Sequence, residues 1–171
     1  MRISRHLAIS LGLILVAIGA TAAAQAAEGL EWTTDFRGDE MCLEVVEDGP
    51  AAGMTRLARC DHDAASQEWF LRPGAGGYSS WTTELRGPRM CLDVINGGEF
   101  NNFTKLERCG SLTGQHWRAR PISGGAVQFT TEFRGERMCL DVVNGGRMNN
   151  YTRLTRCDDL SGQAWNSHSA R

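Results

Sequence analysis

Hydrophobic and polar positions alternate over short stretches of the chain, and breaks containing glycine and proline separate these stretches. In residues 41–46, Met41, Leu43 and Val45 fall on one side, which is the period of a strand with one buried face. The composition of residues 47–50 then indicates a turn. No stretch has the period of about 3.6 residues that is typical of an amphipathic helix. Over residues 32–71 the pattern predicts four strands, at residues 32–36, 41–46, 55–60 and 67–71.

This unit of about 48 residues occurs three times, and each unit is expected to form one module. The middle copy spans residues 81–117, the first begins at Trp32 and the third begins at Phe129. A single copy cannot bury its apolar face alone, so the three copies must pack on one another. The sequence therefore predicts an all-β protein of about twelve strands, built as a closed barrel that hairpins cap, because closure removes exposed strand edges.

The six cysteines recur with the repeat, two in each copy and 18 residues apart. Six cysteines allow about 15 pairings, but one pairing alone keeps the same bond in each copy. Zinc ligation or free thiols are the alternatives, although zinc sites need closely spaced cysteine or histidine pairs, which this chain lacks. The predicted disulfides are Cys42–Cys60, Cys91–Cys109 and Cys139–Cys157.

Residues 1–27 have the layout of a secretory signal peptide, with a basic start, an apolar run and an A-x-A cleavage site at residues 24–26. The apolar run is short for a membrane span, and no membrane span is expected in the mature chain. Removal of this segment takes away two arginines and no acidic residue, so the net charge falls from −2 to −4. A mildly acidic chain argues against nucleic acid and anionic membrane as partners. We expect a secreted or periplasmic monomer.

The ends of the three copies carry a shared motif, Gln-x-Trp, at residues 67–69, 115–117 and 163–165. Together with the preceding Cys-Leu-Asp-Val and the second cysteine, it resembles the ricin B-type lectin family. The resemblance covers residues 32–165 and implies a β-trefoil at residues 28–171 that binds carbohydrate. The implied repeats are 32–73, 81–121 and 129–171. It also implies that the tryptophans form the core, and the glutamines are expected to satisfy buried backbone groups.

The acidic residue after Cys-Leu is the main sugar ligand that the resemblance implies. It is Glu44, Asp93 and Asp141 in the three repeats, and a short carboxylate can grip two neighbouring hydroxyls. The longer Glu44 predicts that the first repeat does not bind. Alternatively, Asp93 and Asp141 hold the Asn-Gly-Gly turns that follow them.

Two features of ricin-type galactose sites are missing from the chain. The expected stacking aromatic is replaced by Ala58, Glu107 and Thr155, and the expected asparagine before each motif glutamine by Ser66, Gly114 and Gly162. These departures argue against the galactose-specific arrangement in all three repeats.

A substitute aromatic platform is predicted from strand alternation, which places Phe103 and Tyr151 on the outward face with the carboxylates. The alternative is that these two rings plug the rim of the barrel. The predicted carbohydrate sites comprise two sets of four residues, namely Asp93, Asn96, Asn102 and Phe103, and Asp141, Asn144, Asn150 and Tyr151.

No motif for catalysis, a metal or a cofactor recurs across the repeats, so we expect a binding module rather than an enzyme. The residues 61–63, Asp-His-Asp, occupy an irregular loop and are interpreted as a solvated turn. Two hypotheses remain: a carbohydrate-binding module with sites in repeats two and three, or a trefoil without sugar binding that binds a protein as an inhibitor or scaffold.

Overall fold

The computed structural model describes residues 28–170, and the predicted signal peptide at residues 1–27 lies outside the described residues. The described chain forms twelve β-strands joined by turns. In chain order, β1 to β12 are Leu30–Thr34, Met41–Val45, Thr55–Arg59, Trp69–Pro73, Ser79–Thr83, Met90–Val94, Thr104–Arg108, Trp117–Pro121, Val127–Thr131, Gly135–Val142, Thr152–Arg156 and Trp165–Ser169. Short 3₁₀ turns occupy Ala75–Gly77, Thr113–Gln115, Ser123–Gly125 and Ser161–Gln163. The prediction of four strands per repeat is therefore confirmed.

Two of the predicted strands of the first repeat are shifted by two residues. The first strand ends at Thr34 because the chain turns there, with the Gly38 amide donating to the Thr34 carbonyl at 2.9 Å. Gly38 has a φ of 71°, which a glycine adopts without strain. The fourth strand begins at Trp69 rather than at Gln67.

Six strands form a closed ring in the order β1, β4, β5, β8, β9 and β12, each antiparallel to its neighbours. The other six strands form three antiparallel hairpins, β2–β3, β6–β7 and β10–β11. This confirms the predicted closed barrel with a hairpin cap. Closure matters because each ring strand has two partners and presents no free edge.

The core lies inside this barrel and repeats with the sequence. Its largest members are Trp32, Trp81, Phe129, Trp69, Trp117 and Trp165. The motif tryptophans are at most 1% exposed, and each indole N–H donates to a leucine carbonyl of its own repeat at 2.8–3.0 Å. A buried tryptophan needs such a partner for its N–H group. The prediction that these tryptophans belong to the core is confirmed.

The motif glutamines tie the end of each hairpin to the loop that follows it. The Gln115 side chain accepts a bond from the Gly110 amide at 2.9 Å and donates to the Arg108 carbonyl at 3.0 Å. Gln67 and Gln163 make the equivalent pairs of bonds. The expected backbone role of the buried glutamines is confirmed.

Three threonine hydroxyl groups meet where the three hairpins converge. The Oγ1 atoms of Thr55, Thr104 and Thr152 are each 2.6 Å from the other two. All three residues are 0% exposed. Since each hydroxyl can donate one bond and accept others, the three groups can form a closed ring of hydrogen bonds on the pseudo-three-fold axis.

The three predicted disulfides are present, with Cα–Cα distances of 4.8–4.9 Å. Each one joins the second strand of a repeat to the end of its third strand. Three disulfides are consistent with an extracellular or exported protein. Within residues 28–170, no helix is long and apolar enough to cross a membrane.

Candidate functional site

The two predicted aspartate ligands occupy equivalent positions on β6 and β10. Asp93 Oδ1 accepts a bond from the Val94 amide at 2.7 Å, and Oδ2 accepts one from Gln115 Nε2 at 3.0 Å. Asp93 is 7% exposed. A carboxylate has about four acceptor positions, so two remain for a ligand at the cavity surface.

Asp141 repeats this arrangement with one additional partner. Its Oδ1 accepts from the Val142 amide at 2.8 Å, and its Oδ2 accepts from Thr155 Oγ1 at 2.8 Å and from Gln163 Nε2 at 3.2 Å. The position of each carboxylate is therefore fixed by backbone and glutamine donors before any ligand arrives. Such preorganisation reduces the ordering cost of binding.

The alternative role of the aspartates, holding the Asn-Gly-Gly turns, belongs to other residues. The Asn101 side chain accepts a bond from the Gly97 amide at 2.7 Å, and the Asn149 side chain accepts one from the Gly145 amide at 2.7 Å. The aspartates bond to the first residue after them and to the motif glutamines instead.

Each aspartate borders an open cavity, of about 410 Å³ in repeat two and about 420 Å³ in repeat three. The two cavities are built from equivalent residues. The repeat-two cavity is lined by Asp93, Asn96, Lys105, Leu112, Gly114 and Phe133. The repeat-three cavity is lined by Asp141, Asn144, Arg153, Leu160, Gly162 and Phe36. We refer to them as the paired cavities.

The aromatic wall of each paired cavity comes from the next repeat around the axis. The Phe133 amide donates to the Thr113 carbonyl, and the Phe36 amide donates to the Ser161 carbonyl, both at 3.2 Å. These bonds seat each ring against the loop that precedes the motif glutamine of the neighbouring repeat.

An arginine covers one face of each of these rings. The Arg134 guanidinium lies 4.0 Å from the Phe133 ring centre, and Arg37 lies 4.1 Å from that of Phe36. Arg134 also donates to Asn101 at 2.7 Å, and Arg37 donates to Asn149 at 3.0 Å. The arginines after the strands thus bind amides of another repeat, and they hold the cavity walls in place.

An exposed leucine stands at the same place on the rim of each paired cavity. Leu112 is 54% exposed and Leu160 is 50% exposed. Single exposed leucines are common on protein surfaces. Here the two occupy equivalent positions and each lines a cavity together with a phenylalanine, which gives both cavities apolar residues as well as the carboxylate.

The first repeat differs from the other two at these positions. Glu44 Oε1 accepts from Arg56 Nε at 3.0 Å and from its Nη2 at 2.9 Å, so the longer carboxylate is bound to the arginine opposite it. The leucine position is Ala64, and the phenylalanine position is Leu85, whose amide donates to the Ala65 carbonyl.

Of the predicted ligand residues, four lie in the paired cavities: Asp93, Asn96, Asp141 and Asn144. Asn102 and Asn150 do not line them. They have φ values of 72° and 70° and precede the third strand of their repeats. Their carbonyls accept the amides of Leu154 and Leu57 from neighbouring repeats at 2.8 Å. Asparagine is among the residues that tolerate this left-handed backbone, so both have a structural role.

The prediction that Phe103 and Tyr151 share a face with the carboxylates is corrected. Phe103 is 8% exposed and packs edge to face against Phe100 at 5.9 Å. Tyr151 borders a separate cavity near Met54 and Met148, where the hairpins meet. The alternation fails because it was extended to residues that precede the strands: β7 begins at Thr104 and β11 begins at Thr152. Phe103 instead forms a bridge to Arg153 of the neighbouring hairpin.

Sequence reasoning missed the residues that form the walls of the paired cavities. Phe36 and Phe133 recur after the first strand of their repeats, and Leu112 and Leu160 recur three residues before the motif glutamine. Repetition of a bulky apolar residue in a loop was the available signal. The assignment of each phenylalanine to the preceding repeat's cavity depends on the closure of the barrel.

The chemistry of the paired cavities combines a fixed carboxylate, a side-chain amide, a cationic side chain and an apolar wall. Such a surface suits a ligand with vicinal hydroxyl groups on one side and C–H groups on the other. Among residues 28–170, no cluster of three or more histidine, cysteine or acidic side chains could hold a metal ion.

Comparison with solved structures places this topology among known folds. A designed three-fold symmetric protein, ThreeFoil, matches with a TM-score of 0.68 and 18% identity over 81% of this chain and 96% of its own. The β-trefoil lectin of the Vibrio vulnificus hemolysin/cytolysin, solved with N-acetyl-D-lactosamine bound, matches with a TM-score of 0.60 and 18% identity, over 84% of this chain and 96% of its own. The chain is a β-trefoil.

Part of a larger enzyme also matches the trefoil. An exo-β-1,3-galactanase from Clostridium thermocellum gives a TM-score of 0.64 and 18% identity over 85% of this chain, which spans 31% of the galactanase chain. No family model and no curated protein sequence matches the trefoil. At these identities the similarities show the fold alone. A protein named as a β-trefoil lectin and part of a carbohydrate-active enzyme share this fold.

Proposed function

We propose that this β-trefoil is an exported, lectin-like module that binds glycan or polysaccharide through the paired cavities of repeats two and three. In this proposal it is related to the ricin B-type lectins, acts as a monomer and carries out no catalysis. Its partner is a glycan rather than nucleic acid or membrane.

The observation that carries the proposal is a coordinated difference between the repeats. Four positions hold Asp, Leu, Gly and Phe at the cavities of repeats two and three, whereas the equivalent place at repeat one has Glu44, Ala64, Ser66 and, from repeat two, Leu85. These positions come from separate parts of the chain and meet only in the folded protein. A scaffold without ligand has no need to keep two complete copies of one cavity and to alter the third at every position.

Each side chain has a distinct role in this proposal. The carboxylates of Asp93 and Asp141 accept bonds from neighbouring sugar hydroxyls, and the exposed amides of Asn96 and Asn144 supply donors and acceptors beside them. The leucine and phenylalanine walls contact the C–H face of the sugar.

Shallow sites of this kind bind weakly, near millimolar, which corresponds to about −4 kcal/mol. Two such sites on one rigid body gain affinity on a ligand that presents many copies of the sugar. Polysaccharides and glycan-coated surfaces are therefore more suitable ligands than free monosaccharides.

The solved structures support the coarse part of the proposal. One similar structure is named as a lectin with N-acetyl-D-lactosamine bound, and another is named as a galactanase. The galactose-specific residues are missing from this chain, so the proposal does not extend to galactose.

The test is binding of the mature, oxidised protein to a broad glycan and polysaccharide array. The Asp93→Ala, Asp141→Ala double variant is expected to lose binding. The Asn96→Ala, Asn144→Ala variant is also expected to lose binding, and it should keep the fold because both asparagine side chains are exposed. Glu44→Ala is the matched control and is expected to keep binding. Undiminished binding in both double variants would reject the paired cavities as the sites.

A protein-binding trefoil without sugar recognition is the second candidate. Internal hydrogen bonds already occupy both oxygens of Asp93 and Asp141, an observation that favours a structural role for them. If the array gives no signal at high protein density, capture of a partner from the envelope of the secreting cell, lost on mutation of Leu112 and Leu160, would support this candidate.

A further inference from the structure

Repeat two carries a second surface that is separate from the paired cavities. It is a cavity of about 500 Å³ lined by Arg86, Pro88, Arg89, Met90, Arg108 and Cys109. Three of these six residues are arginines and none is acidic. We call this surface the arginine pocket.

The backbone under the arginine pocket is well fixed. Arg108 ends β7 opposite Met90, which begins β6. The Cys109 amide donates to the Arg89 carbonyl at 2.9 Å, and the disulfide between Cys91 and Cys109 joins the same two segments. Arg89 and Arg108 are therefore held on adjacent segments of one hairpin.

The equivalent surfaces of the other repeats carry acidic residues. The position of Pro88 is Asp39 in repeat one and Glu136 in repeat three, and the position of Arg89 is Glu40 in repeat one. Glu136 forms an ion pair with Arg118 at 3.1 Å. Since Arg86 and Arg108 recur in all repeats, the loss of the acidic neighbour distinguishes repeat two.

A fourth arginine extends this positive surface along the barrel. Arg72 Nη1 donates to the Pro88 carbonyl at 3.3 Å. Arg72 also lines a neighbouring cavity of about 510 Å³, which shares Cys109 with the arginine pocket and contains the Tyr78 ring. The only acidic residue that lines this second cavity is Glu132, which bonds to His116 at 2.5 Å. The disulfide between Cys91 and Cys109 borders both cavities.

We infer that the arginine pocket is an anion site for an acidic polysaccharide, with sugar carboxylate or sulfate groups bound by Arg86, Arg89 and Arg108. Guanidinium groups bind both anions through paired, charge-assisted hydrogen bonds. Tyr78 lines the adjoining cavity, and the part of its ring that the Arg118 guanidinium, 4.3 Å from the ring centre, does not cover can contact the next sugar unit. This site is independent of the proposed paired cavities, and the chain uses it to hold a charged polymer.

Nucleic acid is a poorer ligand for this pocket. The net charge of −2 for the whole chain opposes an extended phosphate backbone, which needs a broad basic surface. A compact group of arginines on a chain with this charge instead suits separate anionic groups on a polymer of modest charge density.

The test uses retention on immobilised polygalacturonate, which carries carboxylates alone, and on immobilised chondroitin sulfate, which carries carboxylates and sulfates. Retention on polygalacturonate shows that carboxylates suffice, whereas retention on chondroitin sulfate alone shows that sulfate is required. The Arg89→Gln, Arg108→Gln variant is expected to weaken binding by roughly tenfold or more, because two charge-assisted contacts are lost. The matched control is Arg137→Gln, Arg156→Gln, which removes the same charge from the equivalent positions of repeat three and is expected to change binding less than about twofold. All four side chains are exposed, and thermal unfolding verifies the fold of both variants.

A second pair of variants tests the missing acidic neighbour. Pro88→Glu restores the carboxylate that repeat three has and is expected to abolish retention, whereas Pro88→Gln is expected to preserve it. The Asp93→Ala, Asp141→Ala variant should still bind the acidic polymers, since the arginine pocket does not include those residues.

Three results would overturn the inference: no retention of the wild-type protein on either polymer, equal loss in both arginine variants, or equally strong retention on single-stranded DNA. None of these results tests the paired cavities. The proposal that the paired cavities bind glycan would instead be rejected by unchanged glycan-array binding in the aspartate and asparagine variants.

Discussion

The Oδ1 atom of Asp93 lies 2.2 Å from the position that a Cβ atom would take at Gly114. Gly162 has the same relation to Asp141, at 2.4 Å. A side chain at either glycine would require the aspartate carboxylate to shift, whereas repeat one combines the longer Glu44 with Ser66. The glycine before the motif glutamine thus leaves the space that the aspartate oxygen occupies in this chain.

Gly114→Ala is expected to displace the Asp93 carboxylate and to weaken glycan binding at that cavity by roughly tenfold, the value of one charge-assisted contact. Overpacking should also lower the free energy of unfolding by about 1–3 kcal/mol. Titration of the glycan that the array identifies, together with urea unfolding, measures both effects. Gly110→Ala is the control, since its Cβ would meet nothing within 4 Å. Equal effects of both substitutions would contradict the steric role of Gly114.

The exposed rim leucines are expected to affect binding and not stability. Leu112→Ser with Leu160→Ser removes the apolar rim of both paired cavities, which should reduce glycan binding several-fold. Exposed substitutions usually change the free energy of unfolding by less than about 0.5 kcal/mol. Ala64→Ser, at the equivalent position of repeat one, should leave binding unchanged. A glycan titration that does not distinguish the two proteins would remove the leucines from the proposed site.

Much of the architecture follows from the repeat itself. The cysteine pairing, the barrel with its hairpin cap and the core tryptophans are local features that occur three times, and each copy constrains the others. Asp93 and Asn96 were placed in one cavity for the same reason, because they lie close together on one hairpin.

The remaining parts of the candidate site depend on contacts between repeats. Phe133 lines the cavity of repeat two although it belongs to repeat three, and no local spacing indicates this. Phe103 was misplaced because strand alternation was extended to it, although it lies between the left-handed Asn102 and the start of β7 at Thr104. Sequence periodicity predicts which face a residue occupies only while the backbone stays extended.

Asn102 is expected to act through its backbone, with a φ of 72°. Asn102→Ala should be less stable than Asn102→Gly by about 1 kcal/mol, because alanine disfavours the left-handed region and glycine does not. Both substitutions remove the buried side-chain oxygen, which has no hydrogen-bond partner, so their difference isolates the backbone effect. Repeat one already has Gly53 at this position, with a φ of 84°. Urea unfolding of the two variants gives the comparison, and equal stability would contradict a backbone role.

The threonine ring on the pseudo-three-fold axis is expected to be cooperative. Thr104→Val keeps the shape but leaves the hydroxyls of Thr55 and Thr152 each without one partner, which should cost about 1–3 kcal/mol of unfolding free energy. The triple valine variant removes all three hydroxyls together, so its cost should be smaller than the sum of the three single substitutions. Urea unfolding of the single and triple variants measures the coupling. Strict additivity would show that the hydroxyls act separately, and that apolar packing rather than the hydrogen-bonded ring holds the three hairpins together at the axis.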